Sequence, residues 1–265
     1  MKFIIAILLT LTMYGSFGQS MGLALEGAEW SGIQSLPVKG RNGILIKQKL
    51  SFGEYSTLEV DRSWTKGTAL TKGLSAGVPT DEFYRKIITT DIVDKKQTLY
   101  FTLADGAGNR KRAFCMSHFH EKDFNIGNSP VSALNLLLDI AGKGGKSSNA
   151  FFVRIYGDDP DEAWELFLDN QEGVRNPKDR IGYLAKNRSD YYTIIPSTRI
   201  KSKKGKTGEM PFGSAGFEIR NRDGQALAAV SLIDKGIVYL HAANTKERLL
   251  LATACTALLL QEEAL

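Results

Sequence analysis

Leu249-Leu250-Leu251-Ala252-Thr253-Ala254-Cys255-Thr256-Ala257-Leu258-Leu259-Leu260 carries no charge, and the reading of this stretch decides the fold. Asn244-Thr245-Lys246-Glu247 ahead of it is a capping region, so the stretch is predicted to be a helix, apolar all the way round. At about 1.5 Å per residue its length is about 18 Å, well short of a hydrocarbon layer of about 30 Å. Such a helix must be enclosed by protein. The residues just upstream are of strand type: Gly216-Phe217-Glu218-Ile219-Arg220, then residues 226–232, then Gly236-Ile237-Val238-Tyr239-Leu240. Asp223-Gly224 and Asp234-Lys235-Gly236 supply the turns. A curved or closed sheet is the structure able to surround a helix on every side.

Further from the C-terminus the same texture recurs. Residues 44–52 and 55–60 predict two strands with Gly53-Glu54 as a tight turn, and residues 83–93 are β-branched and alternating. Residues 98–103 and 112–116 flank Asp105-Gly106-Ala107-Gly108-Asn109 as hairpin arms, and residues 151–156 and 191–195 complete the strand-like runs. Two segments predict helices instead. Asn128 or Ser129 can cap a Leu-rich helix over residues 131–141, with Pro130 at its first position. Asp159-Pro160-Asp161-Glu162 sets acidic residues against the N-terminal dipole of a second helix over residues 161–170, which Gly173 ends. The fold class expected is α+β and mainly antiparallel β. A curved or closed barrel-like sheet surrounds the buried C-terminal helix within a single β-rich domain over residues 19–265, with the helical insertion around residues 128–173.

The last fifty residues resemble the tubby-like superfamily, which includes tubby domains, plant LURP-one-related proteins and phospholipid scramblases. The resemblance is carried by the strand Phe217-Glu218-Ile219-Arg220-Asn221-Arg222-Asp223-Gly224, the return strand Leu227-Ala228-Ala229-Val230-Ser231-Leu232, one further strand and the wholly apolar final helix. It implies a twelve-stranded antiparallel barrel threaded by that helix. The two helical segments depart from the family pattern and leave the strand count open, and no headgroup-binding residue of the family maps onto this sequence.

The N-terminus looks like an address. Met1-Lys2 is a short positive start, residues 3–13 are apolar except for Thr10 and Thr12, and Ser16-Phe17-Gly18 offers small residues three and one before a cut. Residues 1–18 are expected to be a signal peptide, cleaved between Gly18 and Gln19, leaving no transmembrane anchor and a secreted or periplasmic chain. Export counts against cytosolic nucleotide chemistry and permits disulfides. Cys115 and Cys255 can pair there, closing a long loop, although each sits in an apolar context where a free buried thiol is ordinary. With 265 residues, 43% hydrophobic and 24% charged, the chain can bury a full core without a metal or disulfide framework.

Candidate chemistry is sparse. Gly144-Gly145-Lys146-Ser147 fails as a phosphate loop because Ile140 stands where the motif needs its first glycine, so no nucleotide is expected. No Gly-x-Ser-x-Gly elbow is present, and Cys115 and His118 would face opposite sides of a regular strand. His118 and His120, two apart, would face one side and form the best metal nucleus available; they carry the alternative reading, a metal-dependent hydrolase. No other cofactor is implied. Positive charge is the surface feature with a partner: Arg199, Lys201, Lys203, Lys204 and Lys206 cluster around Ser202 and Gly205, and Arg110-Lys111-Arg112 forms a second group. The formal charge of +5 is modest and no aromatic ladder accompanies the lysines, which argues against nucleic acid. The function expected is an exported, non-enzymatic binding or structural protein that contacts anionic lipid or glycan. Trp30 and Trp64 are further candidates for exposed contact residues.

Overall fold

The structure, a computed structural model, describes residues 21–41, 49–63, 97–119, 150–157, 163–170, 181–202, 204–210, 213–242 and 244–261. The signal segment, the strand expected over residues 83–93, most of that over 44–52, the Leu-rich segment 131–141 and Trp64 lie outside them. The described elements begin with β1 (Gly22–Leu23), a 3-10 turn (Ala28–Trp30), β2 (Ser35–Pro37), β3 (Ser51–Phe52), β4 (Tyr55–Ser63), β5 (Gln97–Ala104) and β6 (Arg110–Phe119). β7 (Ala150–Tyr156), β8 (Trp164–Asp169), β9 (Gly182–Ala185), β10 (Tyr191–Ser197), β11 (Arg199–Lys201) and β12 (Thr207–Glu209) follow. β13 (Gly216–Arg220), β14 (Ala226–Ser231), β15 (Ile237–Leu240) and the helix α1 (Thr245–Leu260) complete the described elements.

Twelve of these strands form one antiparallel sheet in the order β2-β15-β14-β13-β10-β9-β8-β7-β6-β5-β4-β3. The sheet is a nearly closed barrel. Its two edges meet at Lys39 and Ser51, where Lys39 N donates to Ser51 O (2.8 Å) and Ser51 N to Lys39 O (3.1 Å). Gly40 follows that junction with φ +83°, and a Cβ there would collide with the carbonyl oxygen of Lys49. Only glycine fits this turn of the seam.

The helix is inside. A barrel of about eight strands is filled by its own side chains, so twelve leave a lumen that something must occupy. Residues 249–260 are all buried, packed among inward-facing Leu99, Phe101, Val153, Leu166, Ile219 and Val230. Asn244 caps the entry, its Oδ1 accepting from Lys246 N (2.9 Å) and Glu247 N (3.3 Å). The two buried threonine hydroxyls are satisfied within the helix: Thr253 donates to Leu249 O (2.7 Å) and Thr256 to Ala252 O (2.8 Å). At the far end Arg62 donates to Leu260 O (2.8 Å) and Gln261 Nε2 to Asn170 Oδ1 (2.9 Å), tying the helix terminus to the barrel rim. At the entry the Tyr192 hydroxyl donates to Glu247 (2.8 Å), and burial together with that carboxylate raises the phenol's pKa.

One expected element is of the other type. The acidic start predicts a helix over residues 161–170, but Trp164–Asp169 is strand β8, paired with β7 and β9. Leu166 and Leu168 point into the lumen while Glu165 and Phe167 are buried on the outer face, so the run has no helical stripe to display. Ladder pairing on both edges outweighs the local cap signal. The hairpin of β5 and β6 forms as expected: the Asp105 carboxylate accepts from Ala107 N (3.0 Å), Asn109 N (2.9 Å) and Asn109 Nδ2 (2.8 Å).

Because Leu258 is fully buried against the lumen wall, Leu258→Ala is expected to lower the unfolding free energy by about 2–5 kcal/mol in urea titration; a loss under about 0.5 kcal/mol, the size typical of surface changes, would contradict the enclosed helix. Gly40→Ala is expected to shift the midpoint the same way by straining the seam, at a cost of about 1 kcal/mol or more.

Candidate functional site

The basic cluster stands on a second, smaller sheet. β1, β11 and β12 form three antiparallel strands in the order β1-β11-β12, outside the barrel. Their inner side rests on the outer face of β14 and β15: Ile200, Leu23, Leu25 and Met210 pack with Trp30, Ala226, Ala229 and Tyr239. Trp30 meets Tyr239 edge-to-face with ring centroids 6.3 Å apart. Trp30 is therefore an anchor of the small sheet, 9% exposed, and not the open contact residue its sequence position suggested. Burial raises the pKa of the Tyr239 phenol, opposed by its hydrogen bond with Leu23.

Alternation along the hairpin then sets the charges. Ile200 points into that small core, so Arg199 and Lys201 share the opposite face. The turn is closed by Ser202 N to Lys206 O (2.8 Å), Gly205 N to Ser202 O (2.9 Å) and Lys206 N to Ser202 Oγ (3.2 Å), with Gly205 at φ +80°. This is a turn with glycine at its left-handed position. Lys201, Lys204 and Lys206 are exposed, and among the described residues no carboxylate pairs with them; Lys203 lies outside the described residues. Arg199 differs, because its guanidinium forms an ion pair with Glu26. The second basic group is on β6 in the large sheet: Arg110 is exposed, while Lys111 and Arg112 are half-buried and engaged.

At the base of the hairpin is a cleft of about 670 Å³ between the small sheet and the outer face of β10 and β13. Arg199, Thr207 and Glu209 form one wall and Ile195, Ser197, Glu218 and Arg220 the other. Arg220 donates to Glu218 (2.6 Å) and to Gly224 O (3.1 Å). Sequence reasoning missed this site. Its ion pair Arg199–Glu26 joins distant parts of the chain, and the only local signal was the outward alternation of Glu218 and Arg220 on one strand.

The remaining candidates do not converge. His118 lies on β6 where its register against β7 shifts between Ser117 and Phe119, and His120 lies outside the described residues. Among the described residues no group of three or more His, Cys, Asp or Glu side chains could hold a metal ion, and no helix is long and apolar enough to cross a membrane. Cys115 on β6 and Cys255 on α1 are free thiols buried in the same core. Burial pushes both thiols far up from their ordinary range, opposed at Cys115 by the Arg62 charge. Both stay protonated at neutral pH, and a thiol is a poor nucleophile.

Native protein should accordingly show no reaction of Cys115 or Cys255 with a thiol-specific reagent at pH 8, and two equivalents after denaturation; rapid native labelling of either would place it outside the core. No protein-family model, curated protein or solved structure matches this chain.

Proposed function

We propose that this chain is an exported, non-enzymatic binding protein whose β11–β12 hairpin contacts an anionic surface of lipid headgroups or glycan. The observation that carries the reading is the tip itself: Lys201, Lys204 and Lys206 are exposed on one turn, with no carboxylate partner among the described residues, and Ile200 and Met210 fix that turn to the barrel. Lys203, the residue before Lys204 in sequence, lies outside the described residues. A tip of this kind presents charge without paying for its own ordering at each encounter, since the hairpin is already folded. Arg199 contributes to the cleft, where Glu26 neutralises it.

Two further observations support the reading. The twelve-stranded sheet around a C-terminal helix is the architecture implied by resemblance to the tubby-like superfamily, whose members include proteins of membrane surfaces. The N-terminal address, with Gln19 as first residue after cleavage, would deliver the chain to a compartment where anionic lipid and glycan surfaces are exposed.

Co-sedimentation with vesicles tests the reading. Binding is expected to phosphatidylcholine vesicles only when phosphatidylglycerol is included, and to weaken with salt; retention on dextran sulfate separates a glycan preference from a lipid one. Each lysine near a charged surface contributes about 1 kcal/mol, so replacing Lys201, Lys204 and Lys206 with Ser should weaken binding roughly a hundredfold. Binding indifferent to charge or to these substitutions would sink the proposal.

A further inference from the structure

The cleft beside the hairpin differs in chemistry from the lysine tip. β12 is the outer strand of its sheet. Ser202 N bonds to Lys206 O and Met210 N to Thr198 O, both at 2.8 Å, so the ladder to β11 falls at residues 206, 208 and 210. In an antiparallel pair, backbone groups alternate in direction; those of Thr207 and Glu209 therefore point away from β11, along an open edge. Among the described residues nothing pairs with them. That edge borders the cleft, whose volume is in the range of a ligand site.

The charges of the lining are unbalanced. Glu26 is held by Arg199 and Glu218 by Arg220, whereas Glu209, directly across the ladder from Arg199, has no cation among the described residues. One carboxylate is thus left facing the cleft beside two sets of unused backbone donors and acceptors, with Ile195 and Pro196 offering apolar contact below.

We propose that this cleft docks an extended peptide segment bearing a basic side chain: the peptide adds as a strand to the edge of β12, and its Lys or Arg pairs with Glu209. Strand addition satisfies the backbone groups of Thr207 and Glu209, and alternate side chains of the peptide enter the cleft or face solvent. The inference does not depend on the anionic-surface reading, because it uses the open edge of β12 and Glu209 and not the lysine tip.

Fluorescence anisotropy with a labelled hexapeptide of alternating Lys and Thr tests it, alongside the counterpart with Glu in place of Lys and one with methylated backbone nitrogens. The basic peptide should bind saturably, and the acidic and methylated ones should not. Glu209→Gln should weaken binding roughly tenfold, about the size of one charge-assisted contact. Thr207→Pro removes a free N–H without touching the ladder to β11 and should abolish binding. Replacing Lys201, Lys204 and Lys206 with Ser should leave binding intact or strengthen it. Should Thr207→Pro unfold the hairpin, as a shifted circular dichroism melt would reveal, Glu209→Gln and the methylated peptide still decide. No binding, equal binding of the acidic peptide, or indifference to Glu209→Gln would overturn the proposal. So would sedimentation showing a dimer broken by Thr207→Pro, since the edge would then belong to a second copy.

Discussion

A helix without a polar face can be dehydrated only from all sides at once, and the architecture follows from that requirement. α1 satisfies every backbone group internally except at its ends, where Asn244 and Arg62 serve. Its side chains need apolar neighbours around the full circumference, which an open sheet cannot give. The barrel in turn needs the helix, because twelve strands enclose more space than their own side chains fill. Small residues along the helix, Ala252, Ala254, Cys255 and Ala257, let its backbone approach the wall, while the leucines fill the wider gaps. The mutual dependence is one of volume as much as of hydrophobicity.

The small outer sheet extends the same logic by one layer. β14 is buried on both faces, with Ala228 and Val230 toward the helix and Ala226 and Ala229 toward Trp30 and Ile200. Alanines outside β14 allow the three-stranded sheet to sit close against the barrel. This places the β11–β12 hairpin on a rigid base and leaves a cleft where the two sheets diverge. Two surfaces of opposite character, a cationic tip and a cleft with a spare carboxylate, are thereby presented by one hairpin.

How far these features were legible depends on the range of the interactions that make them. The final helix and its cap could be read because the cap is local and the absence of any charge over residues 249–260 has few structural solutions. The β5–β6 hairpin was legible for the same reason, since Asp105 and Asn109 bond each other four positions apart. β8 was misread because its acidic approach imitates a helix start, while the evidence for a strand lies in β7 and β9, including the contact of Glu165 with Arg154 (3.8 Å). The lysine cluster was visible as composition, but the different role of Arg199 was not, because Glu26 reaches it from the other end of the chain. The cleft was invisible for that reason too: its walls come from four segments, and no period or motif links them.

The order of elements along the chain also bears on assembly. Every described strand precedes α1 in sequence, so the residues that fill the lumen leave the ribosome after the strands that enclose them. Until then the inward faces of the sheet have nothing to pack on, and the seam at Lys39 and Ser51 joins segments on the same unfinished surface. Long-range strand pairing is slow, and partly formed sheets with apolar faces are prone to associate. The barrel is therefore a vessel whose wall is synthesised before its filling. In the interval between the two, the apolar inner face of the sheet lies open to solvent, and association competes with folding until α1 enters.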